Sequence, residues 1–205
     1  MPKRTDTVVA LDAMGVLYEP GEDVSELLIP YLRERGCPRS AEEIELRYVE
    51  CSLGRLTSTG FWQAMEVMER ASDVEYCQLH RLTDGVVPLL AELHRRGIPV
   101  ACLSNDVLTW SVLLRRRFGL ERYIGTWVVS AEAGARKPDA AIYQELLDRT
   151  GVSAADAILV DDRVKNIDAA AALGMRTVLF GATAPTAAPA VSSMAELREL
   201  IDRWT

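Results

Sequence analysis

Four short stretches place chemically capable side chains directly after apolar runs. They are Asp12 in LDAMGVL, Ser104 with Asn105 in ACLSND, Lys137 in GARKPD, and Asp161-Asp162 in LVDDRVKN, with Asn166 four residues further on. A carboxylate at the end of a buried strand is expensive unless another charge compensates it. Two adjacent carboxylates repel one another unless a cation sits between them. A lysine near such a cluster supplies a compact positive charge. Groups of this kind at strand ends point to a bound metal or anionic ligand, because the carboxyl ends of strands in open α/β sheets are where such ligands sit.

The elements that would carry these groups are readable from pattern. Val8 to Leu11 is an apolar run too short for a buried helix and reads as a strand covered on both faces. Ile98–Leu103, Thr126–Ser130, Ala157–Val160 and Thr177–Phe180 read as further strands. Helical segments alternate with them: Val86–Arg96, Leu108–Phe118, Asp139–Thr150 and Ile167–Leu173, several closed by a glycine. This alternation is the signature of a parallel sheet wrapped by helices. Gly181–Pro189 is a low-complexity loop, and Ser193 with Glu196 caps a final helix to Trp204.

Between the first strand and Gly85 the pattern differs. Residues Glu22–Arg35 carry apolar positions at helical spacing, Ser40 and Glu43 form a capping box for a helix toward Ser52, Gly54–Gly60 is a polar connection, and Phe61–Ala71 and Val74–Leu82 read as two more helices. No strand pattern is visible there. The expected organisation is an α/β core over residues 1–18 and 85–205, with a small all-helical insert over 19–84. The core is expected to be three-layered and Rossmann-like, with a parallel sheet of about five strands.

Composition narrows the function. The chain has 205 residues and a net charge of −7, which leaves no basic surplus for a nucleic-acid partner. The arginine groups Arg95-Arg96 and Arg115–Arg117 read as solvated helix ends. Cys37, Cys51, Cys77 and Cys102 form no C-x-x-C pair and read as reduced thiols. Lys3 and Arg4 are followed by Asp6 and Asp12, which interrupt any secretory signal, and no apolar run would span a bilayer. A cytoplasmic protein is expected. Oligomeric state is not readable.

Taken in order, the four stretches resemble the motifs of the haloacid dehalogenase-like hydrolase superfamily, with the insert in the gap where that family carries a small mobile cap. The resemblance implies roles. Asp12 would be the nucleophile, forming an aspartyl intermediate. Ser104 and Asn105 would bind a transferring phosphoryl group, and Lys137 would offset charge. Asp12, the backbone carbonyl of Met14, Asp161 and Asp162 would hold Mg²⁺, with Asn166 in support. The substrate would be a small phosphorylated metabolite. The chain departs from the family at Met14, where the phosphatases carry a second Asp that acts as general acid and base. A thioether can do neither. Two further readings stay open: metal-free hydrolysis at carbon, as in dehalogenation, and a phospho-ligand-binding protein of impaired catalysis. Trp62 and Arg55 on the insert are open as substrate contacts, with packing inside the insert the preferred reading for Trp62.

Overall fold

The structure is a computed structural model that describes residues 7–181 and 186–205. The charges at Lys3, Arg4 and Asp6, and residues 182–185 of the Gly181–Pro189 stretch, lie outside the described residues. Strand β1 (Val8–Leu11) is buried throughout and stands in the middle of a six-stranded parallel sheet. In chain order the strands are β1, the short β2 (Tyr18–Glu19) and β3 (Arg81–Leu82), then β4 (Val100–Ser104), β5 (Thr126–Val129), β6 (Ala157–Asp161), β7 (Arg176–Phe180) and β8 (Ala190–Val191). The main sheet runs β5-β4-β1-β6-β7-β8. The chain leaves β1 toward one edge and later returns to build the other, so β1 sits at a topological switch point.

Register then brings the chemistry together. Leu11 lies opposite Cys102 on one side and Val160 on the other. The next residue of β1 is Asp12, whose N–H donates to the Val160 carbonyl at 2.9 Å. Asp12 therefore emerges beside Asp161, at the same sheet edge as Ser104. Alternation divides β1 between two cores: Val9 and Leu11 pack on one face, Val8 and Ala10 on the other. The second face is covered by α8 (Ala140–Thr150) and α9 (Val164–Ala172).

On the first face lie α5 (Val86–Arg95), α6 (Leu108–Arg117) and α10 (Met194–Trp204); a short α7 (Ser130–Ala133) follows β5, its Ala133 packed against the second core. The insert contributes α1 (Ile29–Glu34), entered through a π-helical turn at Val24–Leu28, then α2 (Ala41–Ser52), α3 (Ser58–Ala64) and α4 (Asp73–Gln78). The capping box at Ser40 and Glu43 is present in both directions.

Several boundaries differ from expectation. The insert does contain strand: Tyr18 and Glu19 pair antiparallel with Leu82 and Arg81, forming a ribbon at its base. Helix α3 begins at Ser58 because the Thr57 hydroxyl accepts from the Gly60 N–H, inside the segment expected as a polar connection, and it stops at Ala64. Helix α9 begins at Val164. Beyond Phe180 the two-residue β8 adds a sixth strand to the five expected.

The insert and the α/β part share one hydrophobic core. Trp110 of α6 stands among insert aromatics, with ring centroids 4.6 Å from Tyr76, 5.5 Å from Trp62 and 5.7 Å from Phe61. Its indole N–H and that of Trp62 both donate to Asp73 Oδ1, at 2.6 and 2.8 Å. Trp62 is thus a packing residue, and Arg55 is exposed and does not line the cavity described below. All four cysteines are free and buried. Arg95, Arg96 and Arg115 form ion pairs, and Arg117 donates to the backbone carbonyls of Cys77 and His80.

Candidate active site

The strand-end groups converge. Lys137, 3 % exposed, places its ammonium 2.8 Å from Asp12 Oδ1 and 2.6 Å from Asp161 Oδ2. Asp12, Asp161 and Asp162 each offer a carboxylate oxygen within 4.8 Å of the others'. Asp161 is fully engaged: Oδ1 accepts from the Arg163 N–H and from Asn166 Nδ2, both at 2.9 Å, and Oδ2 accepts from Lys137 and, at 3.1 Å, from Asn166. Asp162 Oδ1, by contrast, is buried without a hydrogen bond, its nearest cation being Arg163 Nε at 3.8 Å.

Charge explains the titration behaviour. Burial pushes the Asp12 carboxyl well above its ordinary value; Lys137 pulls it back, while Asp161 and Asp162 add to the rise. Asp162 is raised to about 6, by burial first and then by Asp161. Burial alone would depress Lys137, yet Asp12 and Asp161 together hold it above the usual lysine value. Three carboxylates crowd one buried ammonium, with the Arg163 guanidinium 3.8 Å from Asp162, and a bound cation would relieve the repulsion among them.

Local backbone supports the same reading. Gly15 has φ +82°, and a Cβ there would lie 2.4 Å from Asp162 Oδ2. At Gly21 the corresponding atom would lie 3.0 Å from that oxygen. The chain closes tightly round Asp162, and at Gly15 the positive φ and the close approach together favour glycine. The donor set is all oxygen, as hard cations require. The residues present fit Mg²⁺.

Asp12 and Lys137 open onto a cavity of about 320 Å³, with Asp161 and Asp162 outside its lining. From the strand ends it is lined by Asp12, Met14, Ser104, Asn105 and Lys137; from the insert by Asp23, Val24, Glu45 and Tyr48, among others. Ser104 is 1 % exposed and its hydroxyl has no partner, a donor still unsatisfied. Asn105 uses its amide differently: Nδ2 donates to the Lys137 carbonyl at 2.9 Å and Oδ1 accepts from the Lys137 N–H at 2.8 Å. Its side chain clamps the lysine's backbone. A larger cleft, about 840 Å³, opens at the opposite end of the sheet near Val8, Val100 and Arg149, and holds none of the strand-end groups.

Sequence reasoning missed the insert's contribution. Tyr48 donates its hydroxyl to the Asn105 carbonyl at 3.0 Å, Arg163 pairs with Glu22 at 3.0 Å, and Asp23 is a buried carboxyl on the cavity wall. The only signal at Asp23 was an acid just ahead of a periodic apolar stretch, which ordinarily marks a helix start.

The family model for haloacid dehalogenase-like hydrolases matches residues 7–174. The chain belongs to that family. It is 31 % identical over 97 residues to the flavin mononucleotide hydrolase 1 of Arabidopsis thaliana, covering 47 % of this chain and 39 % of that protein. It is 31 % identical over 106 residues to a ribulose-1,5-bisphosphate 5-phosphatase of Halopiger xanaduensis, covering 51 % and 44 %. The chain thus matches under half the length of either relative. Among solved structures, a HAD family enzyme of Bacteroides thetaiotaomicron, in complex with magnesium and inorganic phosphate, superposes with a TM-score of 0.73 at 20 % identity over 88 % of this chain and 97 % of that one. No helix among the described residues is long and apolar enough to cross a membrane.

Proposed function

We propose that this hydrolase is a Mg²⁺-dependent phosphatase of a small phosphorylated metabolite, acting through an aspartyl-phosphate on Asp12. The observation that carries the reading is Lys137 bridging Asp12 and Asp161 beside Asp162, the three carboxylates lying within 4.8 Å of one another. Asp12 attacks phosphorus, and the bond to the leaving oxygen breaks. Water then attacks the same phosphorus and releases Asp12 and phosphate. Lys137 offsets charge on the nucleophile and on the transferring group. The orphan Ser104 hydroxyl donates to a phosphoryl oxygen, while Asn105 and Asn166 position Lys137 and Asp161. Mg²⁺ would be held by Asp12, the Met14 carbonyl, Asp161 and Asp162. When bound it shields the anionic substrate from the anionic nucleophile. Residues 19–84 act as the cap, whose cavity wall sets specificity. The net charge of −7 and the phosphatase relatives favour a small-molecule substrate over nucleic acid.

A panel of alkyl, aryl and acyl phosphates and haloacids, assayed with Mg²⁺ and with EDTA, tests this. Phosphate release that requires Mg²⁺ and disappears in Asp12→Asn is expected. Halide release that survives EDTA, or ligand-induced stabilisation without turnover, would overturn it.

A further inference from the structure

With Met14 unable to donate a proton, an alkoxide leaving group needs another acid. In an in-line displacement the leaving oxygen lies opposite the nucleophile. Asp12 stands at the strand ends, so that oxygen faces the insert's side of the cavity. Three carboxyl groups line that side: Glu22, Asp23 and Glu45. Glu22 and Glu45 are exposed, and Glu22 is paired with Arg163. Asp23 is 6 % exposed, lines the cavity, and its Oδ2 accepts from the Tyr76 hydroxyl at 3.3 Å. We infer that Asp23 is the general acid and base of this enzyme, doing from the cap the work that Met14 cannot do from the nucleophile loop. The inference rests on the phosphatase reading above and names the residue that completes it.

Protons and bonds balance with no further reactant. As Asp12 oxygen bonds to phosphorus, the phosphorus–oxygen bond to the leaving group breaks and the Asp23 carboxyl gives that oxygen its proton. The resulting Asp23 carboxylate takes a proton from water as that water attacks the phosphoenzyme. Asp23 ends protonated, and Asp12 leaves as carboxylate. The environment suits the role: burial raises the Asp23 carboxyl to about 6, against hydrogen bonds from Tyr76 and the Val24 backbone and the Arg163 charge. Glu22 beside it raises it further; Tyr48 on α2 and Asp106 after β4 also feel its charge, and Asp12, Glu45, Arg136, Lys137 and Lys165 line the same cavity.

The test compares kcat/KM for an alkyl phosphate and for p-nitrophenyl phosphate, whose leaving group needs no proton. Asp23→Asn should lower the alkyl value by about 10² to 10⁴ and leave the aryl value within about threefold. The alkyl rate of the parent should fall as pH rises through about 6, and Asp23→Asn should lose that limb. Asp23→Glu should recover part of the rate, and adding Met14→Asp to Asp23→Asn should restore alkyl turnover. Should Asp23→Asn fold poorly, Tyr76→Phe serves instead: loss of the hydroxyl should move the limb to higher pH. Equal losses on both substrates, no loss on either, or an unmoved limb in Tyr76→Phe would overturn the role of Asp23 alone. Failure of the parent enzyme to hydrolyse any phosphate would overturn it together with the phosphatase reading.

Discussion

Lys137→Met tests the electrostatic core of the site. The substitution keeps most of the side-chain volume and removes the ammonium that touches Asp12 at 2.8 Å and Asp161 at 2.6 Å. Breaking a buried ion pair from one side costs about 3 to 5 kcal/mol, because the remaining charge is left unpaired. At roughly 2 to 4 °C per kcal/mol for a chain of this size, Tm should fall by about 6 to 20 °C. The loss should depend on pH in a definite direction. Asp12 and Asp162 already bind protons more tightly in the folded chain than carboxyls ordinarily do. Without Lys137 they bind them more tightly still. Stability is therefore retained below the ordinary carboxylate range and lost as pH rises through the elevated folded values. Calorimetry in EDTA at pH 5 and pH 8 reads the difference directly. A larger deficit at pH 8 is expected. A deficit equal at both values, or below about 1 kcal/mol, would mean that Lys137 matters only as apolar stem.

Three other outcomes follow from the same geometry. Mg²⁺ should raise the thermal midpoint of the parent chain, by about 2.7 kcal/mol of stability at a hundredfold excess over Kd, and Asp162→Asn should abolish most of that gain. Gly15→Ala should cost about 1 to 2 kcal/mol for its positive φ and also blunt the Mg²⁺ response, since the new methyl would press on Asp162 Oδ2; a thermal-shift titration checks both. Asp106 is 1 % exposed, its Oδ2 lacks a partner, and burial raises it to about 8. Its ionisation opposes folding as pH rises from about 4 to 8, so Asp106→Asn should gain a few kcal/mol in urea melts at pH 9 and almost nothing at pH 4.

How much of this was legible in the sequence depends on how each feature is specified. The strand-end groups were readable because each follows an apolar run that must be buried, and a charge at its end stands out. Parallel pairing then brings Asp12 beside Asp161 without further information. The ribbon of Tyr18–Glu19 with Arg81–Leu82 was not readable, nor was β8: two residues carry no period, and such strands exist only through their partners. Helix α3 was misplaced because Thr57 looks like loop until its hydroxyl is seen capping Gly60. Asp23 was hidden for the opposite reason. Its type and position suit an ordinary helix start, and only tertiary packing of α4 and the loop after β6 buries it on the cavity wall. The contacts that join the insert to the core, Trp110 with Asp73 and Tyr48 with Asn105, were not readable either, since their partners lie far apart in the chain.

The most direct measurement is covalent capture of the nucleophile. The protein is mixed with a phosphate-labelled substrate that it turns over, quenched in acid during steady state, digested and mapped. The account predicts label on the peptide that carries Asp12, lost on chase with unlabelled substrate and absent in Asp12→Asn. Full-rate phosphate release with no label on Asp12, or with label on another residue, would contradict it.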